Sequence, residues 1–183
     1  MLAQIEFKCR GTLVSIQGVS GNDWIFSSIA RARTFYEADL LQYMSFALRK
    51  RHGLMLDIGA NIGNHSVFFG MIMKNSVVCF EPNPQVLKIL KRNLTVNSID
   101  HEVYSIGLGE YEGRFSVDDS HRGAENNIGA ARLCEKVNGP IIVKRLDDII
   151  DSVNYRFAGK NIIGIKADIE GMEPAMLRGA SAT

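Results

Sequence analysis

The sequence predicts an α/β fold with a largely parallel, doubly wound sheet. Residues 54–58 form an apolar run that breaks into a glycine-containing turn before a second, helix-like run from residue 64. Another apolar run, residues 76–80, also precedes a helical pattern. Strands that alternate with helices at this spacing are typical of a parallel sheet covered by helices.

Composition limits the classes of protein to consider. The chain has 183 residues, of which 46% are hydrophobic, and a net charge of +1. These values favour a soluble globular protein with a substantial core, and the charge gives no reason to expect a nucleic-acid partner. Three widely spaced cysteines indicate reduced thiols. No apolar run reaches about 18 residues and no signal-peptide core is found, so we expect a cytoplasmic protein without a membrane span.

Two segments precede the first long apolar strand. Residues 1–35 carry short alternating pieces, Asp23–Phe26 among them, which predict a small β appendage to a main domain of residues 36–183. Residues 36–51 predict a helix with a broad apolar face and a basic C-terminal end. Glu37, at the start of this helix, is a candidate cofactor-binding residue that would face a nucleoside pocket.

The glycine turn after the first strand has the features of a ligand cradle. In the pattern D-x-G-x-N-x-G, the two glycines let the backbone come close to a bulky ligand. Polar side chains at residues 64–66 would cap the helix that follows. We therefore predict cofactor-binding roles for Asp57, Gly59, Asn61 and Gly63.

An acidic residue, Glu81, follows the second strand. In dinucleotide-type folds, an acid at the tip of this strand, about 20 residues past the glycine turn, holds the ribose hydroxyls. Asn83 and Pro84 then start a helix, and Asn83 is placed in the same pocket. The chain is thus predicted to bind a nucleoside through Glu81 and Asn83.

The glycines distinguish between two nucleoside cofactors. A pyrophosphate site requires G-x-G-x-x-G, whereas this turn has only Gly59 and Gly63, with the carboxylate of Asp57 before them. A carboxylate would repel phosphate but not the ammonium and sulfonium groups of S-adenosylmethionine. The pattern favours S-adenosylmethionine over NAD, and an NAD-dependent oxidoreductase on the same sheet is the alternative.

The middle of the chain predicts further strands and a long polar loop. Residues 102–106 and 114–117 are predicted strands, and a break at residues 107–109 ends the first of them. Residues 118–131 predict either a binding lid or a plain loop. Residues 140–146 predict an edge strand, followed by a short helix.

The last strand brings two more acids to the same edge of the sheet. It ends in Asp168, and the next turn contains Glu170 before a helix that starts at Pro174. Because ligands lie beyond the carboxyl ends of strands in such sheets, Asp57, Glu81 and Asp168 should converge. Asp168 and Glu170 are the candidate catalytic residues.

Other titratable groups are weaker candidates. His65 and His121 are reserve bases, because a lone histidine is more often structural or exposed. Glu173 is interpreted as an acid that stabilises the N-terminus of the last helix. No metal ligand is predicted.

Four motifs follow one another along the chain: LDIGANIGN at 56–64, FEPNP at 80–84, LDD at 146–148 and IKADIEGME at 165–173. Together they resemble the FkbM-type methyltransferases, over residues from about Phe35 to Ala180. The resemblance implies a Rossmann-like class I methyltransferase sheet that uses S-adenosylmethionine. It also implies methylation of a hydroxyl oxygen on a sugar or another natural-product small molecule.

Three departures from the family pattern matter. Ala167 stands where a larger aliphatic residue is usual and Arg145 where a threonine is common, and both concern the acceptor pocket. The family has further strands after the helix at Pro174, so the resemblance implies a sheet truncated on its C-terminal side. A homo-oligomer or a partner would cover the exposed edge, and a non-catalytic module that binds S-adenosylmethionine or a partner is a second alternative.

Overall fold

The structure, a computed structural model, describes residues 3–118 and 132–183. Residues 119–131 of the predicted lid or loop, with His121, lie outside this described part. Within it, the helices and strands in chain order are β1 (Ala3–Cys9), β2 (Thr12–Gly18), α1 (Trp24–Ala32), α2 (Ala38–Ala47), β3 (Leu54–Ile58), α3 (Asn64–Met71), β4 (Ser76–Phe80), α4 (Pro84–Val96), β5 (His101–Tyr104), β6 (Gly107–Leu108), β7 (Gly113–Asp118), β8 (Arg132–Glu135), β9 (Ile141–Lys144), α5 (Ile150–Arg156), β10 (Ile162–Ala167) and α6 (Glu173–Arg178).

The central sheet is parallel and has the order β10-β3-β4-β5. From β3 the chain builds β4 and β5 on one side, and it returns to add β10 on the other side. The strand order therefore reverses between β3 and β10, which is the position where ligands bind in open α/β sheets. The predicted α/β fold with a parallel sheet is confirmed.

Both faces of the central sheet are covered. Met55 and Val77 belong to the hydrophobic cluster that includes residues of α3 and α4. Leu56 and Val78, which follow them in the same strands, belong to the cluster on the other face with residues of α5 and α6. This alternation buries every residue of β3 and β4 and explains why both strands are continuous apolar runs in the sequence.

A second sheet has the order β6-β9-β7-β8 and mixes parallel and antiparallel pairs. Residues 107–108, predicted to break a strand, form β6 and pair with β9. The prediction of an edge strand at 140–146 is wrong, because β9 lies between β6 and β7. Pro140 precedes β9, so the strand keeps all the backbone N–H groups that a central position requires.

The N-terminal region contains a hairpin and a helix. Strands β1 and β2 pair antiparallel, and β2 contains most of an alternating piece of the sequence. The prediction of a β piece at Asp23–Phe26 is wrong, because α1 begins at Trp24. Asp23 caps this helix and accepts a hydrogen bond from the Phe26 backbone N–H at 2.9 Å, which is the usual work of an aspartate before an apolar helical run.

The hairpin packs on the central sheet unit rather than standing apart from it. Phe7, Val14 and Ile16 are buried in one cluster with Phe68 and Leu90 of α3 and α4. The division of the chain at residue 35 stays a prediction, although no gap in the core marks it among the described residues.

Helix α2 is shorter than predicted, and only part of its apolar surface is packed. Leu41 is fully buried, and Met44 and Leu48 pack beside it. By contrast, Tyr43 and Phe46 are 70% and 64% exposed. The broad apolar face expected from the sequence is therefore divided into a packed half and an exposed half.

At the edge of the central sheet, β10 has no outer neighbour among the described strands. Its Ile165 side chain is 43% exposed. Coverage of this edge by a partner or a second copy stays a prediction. In the described part of the chain, none of the helices has the length and apolar character that crossing a bilayer requires.

Candidate functional site

A cleft opens at the carboxyl ends of β3, β4 and β10. It consists of an apolar pocket and a polar pocket. The predicted convergence of Glu81 and Asp168 is observed, because both line the two pockets. The residues that the pockets share are Gly59, Asn61, Glu81, Asp168 and Glu170.

The apolar pocket lies between the central sheet and the mixed sheet. Phe80 and Val86 form its side towards the central sheet and α4. Ile106, Leu133 and Met172 contribute further apolar wall. Such a pocket suits a flat, weakly polar group such as a nucleobase.

Glu81 lies where the two pockets meet. Its Oε2 accepts a hydrogen bond from the Asn61 N–H and its Oε1 accepts one from the Asn83 N–H, both at 2.8 Å. Burial raises the pKa of Glu81, although these two backbone donors act in the opposite direction. The Asn83 side chain caps α4 by accepting from the Gln85 N–H at 3.0 Å, so Asn83 orients Glu81 through its backbone.

Glu37, at the start of α2, lines the polar pocket. Glu37 Oε2 lies 3.0 Å from His65 Nε2. Burial lowers the pKa of His65 below its ordinary value, despite the carboxylates of Asp57 and Glu37 nearby. This close contact between the His65 ring and the Glu37 carboxylate joins the start of α2 to α3.

Asp57 lies beneath the cleft and does not line either pocket. It is completely buried, with Oδ1 3.2 Å from Lys166 Nζ and Oδ2 accepting from the Ser66 hydroxyl. Burial by itself would raise the pKa of Asp57, but Lys166, His65 and Ser66 together lower it. The expectation that Asp57 presents a charge to the cofactor is therefore wrong, since Lys166 neutralises it.

Lys166 is the main residue of the site that sequence reasoning missed. Its ammonium lines the polar pocket and also donates to the Gly59 carbonyl oxygen at 3.0 Å. A signal was available, because a lysine within an apolar strand needs a buried carboxylate partner. Lys166 and Asp57 are aligned in the pairing of β10 with β3.

The two glycines serve packing more than ligand approach. A Cβ on Gly59 would lie 2.0 Å from the Asp168 carbonyl oxygen, and one on Gly63 would lie 2.8 Å from Leu90 Cδ1. Both residues have positive φ angles, 75° and 90°. Gly59 also lines the cleft, whereas Gly63 lines neither pocket.

The predicted capping of α3 by the side chains of residues 64–66 is wrong. Gly63 occupies the N-cap position, and no side chain caps this helix. The Asn64 amide instead accepts from the Tyr36 N–H and donates to the Tyr36 carbonyl oxygen, both at 3.0 Å. Asn64 therefore fastens the segment before α2 to the cleft wall.

Asp168 and Glu170 lie on the turn between β10 and α6. The Asp168 side chain is 59% exposed, with Oδ2 4.0 Å from Lys166 Nζ. Glu170 has a φ of 54°, which turns the chain sharply after the strand. The Glu173 carboxylate holds this turn by accepting from the N–H groups of Ile169 at 2.8 Å and Gly171 at 3.0 Å. Glu173 is the first residue of α6, where an acid at the helix N-terminus was predicted.

A family model described as the methyltransferase FkbM domain matches residues 57–183. The chain belongs to this family. The matched range begins at Asp57 in β3 and includes the glycine turn, Glu81 and the turn after β10. The FkbM resemblance seen in the four motifs is thus confirmed.

This FkbM domain is similar to parts of several solved structures. A Pyrococcus horikoshii protein described as a transferase is 23% identical, with a TM-score of 0.30 over 33% of this chain and 29% of its own. Another P. horikoshii protein, described as an RNA methyltransferase, is 22% identical, with a TM-score of 0.36 over 43% and 40%. The tRNA (uracil-54, C5)-methyltransferase of Pyrococcus abyssi, in complex with S-adenosyl-L-homocysteine, is 16% identical, with a TM-score of 0.39 over 55% and 23%.

These similarities have limited extent. The matched parts span less than half the length of each of the three structures. No curated protein sequence matches the chain. Among residues 3–118 and 132–183, no group of three or more side chains is arranged to hold a metal ion.

Proposed function

We propose that this FkbM domain is an S-adenosylmethionine-dependent methyltransferase that methylates a hydroxyl oxygen of a sugar or another natural-product small molecule. The observation that carries the proposal is the position of Glu81. Its buried carboxylate lies between an apolar and a polar pocket at the switch point of the sheet. One ligand that is apolar and aromatic at one end, carries two hydroxyls in its middle and is charged at the other end would match this arrangement.

The residues of the cleft fit the three parts of the cofactor. The apolar pocket would hold the adenine, and Glu81 would accept hydrogen bonds from the ribose hydroxyls. In the polar pocket, Lys166 would attract the carboxylate of the methionine part and Glu37 its ammonium group. Asn61 and Asn83 would contribute by fixing the Glu81 carboxylate, and Gly59 by shaping the turn.

The remaining chemistry is the removal of a proton from the acceptor hydroxyl. The cofactor supplies a methyl group that its positive sulfonium already activates. Alignment of the acceptor in the cleft would contribute effective molarities on the order of 10⁵–10⁸ M, and a positioned base about 10²–10⁴-fold. Asp168 and Glu170 line both pockets and are the proposed bases.

The proposal also includes a location for the enzyme and the kinds of molecule it contacts. We propose a cytoplasmic enzyme that acts on a small molecule rather than on a nucleic acid, since the net charge is only +1. A second copy or another protein would cover the outer edge of β10.

Calorimetric titration tests the cofactor. We expect S-adenosylmethionine and S-adenosylhomocysteine to bind and NAD not to bind. Preference for NAD would overturn the proposal in favour of an oxidoreductase. Transfer of a radiolabelled methyl group to fractions of a cell extract then tests catalysis, and binding without transfer to any fraction would favour a non-catalytic module.

A further inference from the structure

Helix α2 has two differently oriented apolar sides. Leu41, Met44 and Leu48 pack into the core. Leu40, Tyr43 and Phe46 are spaced three residues apart. Side chains at this spacing lie along one strip of the helix surface.

This strip, residues Leu40, Tyr43 and Phe46, is exposed. The exposed fractions are 45%, 70% and 64% respectively. Scattered single apolar residues on a surface are ordinary, but three large ones in a row on one helix mark an interaction surface.

A basic pocket adjoins the end of the strip. Arg49, Arg51, His52 and Lys74 line it, and no carboxylate lines it among the described residues. The Arg49 guanidinium lies 4.1 Å from the centre of the Phe46 ring and donates to the Phe46 carbonyl oxygen at 2.8 Å, so the strip and the pocket are continuous.

The pocket lies away from the cleft. His52 comes just before β3, so it lies at the amino end of a strand whose carboxyl end faces the cleft. Lys74 comes just before β4 and is placed in the same way. Glu37, at the other end of α2, lines the polar pocket. The exposed side of α2 therefore extends from the rim of the cleft to the opposite end of the sheet.

We propose that the exposed strip of α2 and the basic pocket beside it form a docking surface for an anionic lipid bilayer. An apolar helix strip with aromatic residues and a border of Arg and Lys is the arrangement by which helices lie in a membrane interface. Here the cations border the C-terminal end of the strip, while the exposed acid Asp39 lies beside its first turn. The basic pocket would receive lipid phosphate or carboxylate groups while Tyr43 and Phe46 enter the headgroup region.

A single-stranded nucleic acid is a less suitable occupant. It would pair the cations with phosphates and stack bases on Tyr43 and Phe46. However, the aliphatic Leu40 would gain nothing from such stacking, and a convex helix offers no groove to follow a strand. A flat bilayer contacts the whole strip at once. The proposal does not depend on methyl transfer.

Vesicle sedimentation tests the proposal. We expect the protein to sediment with vesicles of equal parts phosphatidylcholine and phosphatidylserine but not with phosphatidylcholine alone. Added salt should weaken the binding, because exposed charges are screened. A Tyr43→Trp variant should show a blue-shifted emission with the anionic vesicles relative to the wild-type protein, since the ring leaves water.

Paired variants locate the surface. Tyr43→Ser with Phe46→Ser, and separately Arg49→Gln with Arg51→Gln, should each weaken vesicle binding by more than about tenfold. The matched controls are Tyr155→Ser and the pair Lys91→Gln with Arg92→Gln, which change exposed residues on α5 and α4. The controls should bind as the wild type does, and circular dichroism melts should show that all variants remain folded.

Several results would overturn the proposal. These are failure to bind anionic vesicles, an equal loss in the control variants, and binding of a single-stranded RNA oligomer that depends on Tyr43 while vesicles are ignored. Self-association that disappears in the Tyr43→Ser, Phe46→Ser variant, without vesicle binding by the monomer, would assign the strip to a second copy instead.

Discussion

At the scale of single residues, the contact between Lys166 and Asp57 sets the electrostatics beneath the cleft. Removing two such charges from water costs several kcal/mol for each ion, and their attraction offsets this cost only with good geometry and further hydrogen bonds. Here Ser66 donates to Asp57, and Lys166 also donates to the Gly59 carbonyl oxygen. The pair therefore ties the glycine turn of β3 to β10.

Replacing Lys166 by methionine should strongly destabilise the protein, because Asp57 would be left buried without a counter-charge. We expect a loss of about 3–5 kcal/mol in the free energy of unfolding, measured with urea. The matched control is Lys160→Met, which removes a half-exposed partner of Asp100 and should cost about 0–1 kcal/mol. Equal losses in the two variants would contradict the role of the buried pair.

The difference in stability between the wild type and Lys166→Met should also depend on pH. Because the pKa of folded Asp57 is lowered, its ionised form stabilises the protein fully above its unfolded pKa of about 3.9. This stability is lost as the pH falls below that value. The difference between wild type and Lys166→Met should therefore shrink in acid.

Glu81 should be the ribose ligand, and its effect can be separated from its structural role. Glu81→Ala should weaken S-adenosylmethionine binding by about one to two orders of magnitude, the value of a hydrogen bond to a charged acceptor. A cofactor analogue without both ribose hydroxyls should bind the variant and the wild type more equally. An identical factor for cofactor and analogue would show that Glu81 only holds the loop through the N–H groups of Asn61 and Asn83.

Protonation of Glu81 should make cofactor binding depend on pH. Its raised pKa means that protonation begins above the ordinary glutamate value of about 4.3. Since the ionised carboxylate is the better acceptor, affinity should fall in mild acid as the pH approaches that raised pKa.

Substitutions of Asp168 and Glu170 should have different effects on cofactor binding and on catalysis. A base acts in the transition state and contributes little to cofactor affinity. We expect Glu170→Gln to keep cofactor affinity and lose methyl transfer, and Asp168→Asn to lose part of both, because Asp168 lies near the Lys166 ammonium. Calorimetry and radiolabel transfer measure the two properties. Normal turnover by Glu170→Gln, with an inert but binding Asp168→Asn, would exchange the roles.

Some of these residues could be found from sequence and others could not. Glu81 and Asp168 come directly after apolar strands, and Glu170 comes two residues after Asp168, so their position near a strand end is visible in the sequence. The partnership of Lys166 with Asp57 depends on strand register, which sequence periodicity alone does not give. The contact between His65 and Glu37 depends on how two helices meet.

At the scale of elements, Gly59 allows β3 and β10 to pack closely where the two strands end, and it does not open space for a ligand there. The Asp168 N–H donates to the Ile58 carbonyl oxygen at 3.1 Å. This bond brings the Asp168 carbonyl oxygen so near Gly59 that no side chain fits between the strands. A larger residue at position 59 would therefore disturb the junction of the two strands itself.

Gly59→Ala should destabilise the junction by about 2–5 kcal/mol, which combines the strain of a positive φ with overpacking. Gly171→Ala is the matched control, because Gly171 has a φ of 97° but nothing within 4 Å of its added Cβ. It should lose only the strain, about 1–2 kcal/mol. Urea denaturation measures both. If the two variants lost the same stability, close packing of the strands would not be the reason for the glycine.

The elements that sequence reasoning missed have physical explanations. Helix α1 is short, so its apolar residues fit alternation and helical spacing almost equally well, and the cap at Asp23 was the better signal. The apolar residues of α2 satisfied a helical pattern, but periodicity does not reveal which of them meet a neighbour. Strand β9 is central because of the mixed sheet, a tertiary arrangement that Pro140 does not forbid.

At the scale of the whole molecule, the N-terminal hairpin is joined to the cleft by Asn93 of α4 and by Asn97, the residue that ends this helix. Asn93 accepts from the Gln17 N–H at 2.8 Å and donates to the carbonyl oxygens of Gln17 at 2.9 Å and Ile62 at 2.8 Å. Asn97 makes a similar pair of bonds to Ser15. One buried side chain thus connects β2, α4 and the glycine turn.

The whole described unit should therefore unfold in one transition. Trp24 is the only tryptophan in the sequence and lies in α1, so its fluorescence reports the N-terminal region, while circular dichroism reports all elements. The urea midpoints of the two signals should coincide. Asn93→Ala should move both midpoints to lower urea together. The free energy of unfolding should fall by about 2–5 kcal/mol, because several buried backbone groups lose their partners. Thr95→Ala, which removes an exposed bond within α4, is the control and should change little. A Trp24 transition at lower urea than the dichroism signal would instead mean that residues 1–35 unfold separately, as an appendage would.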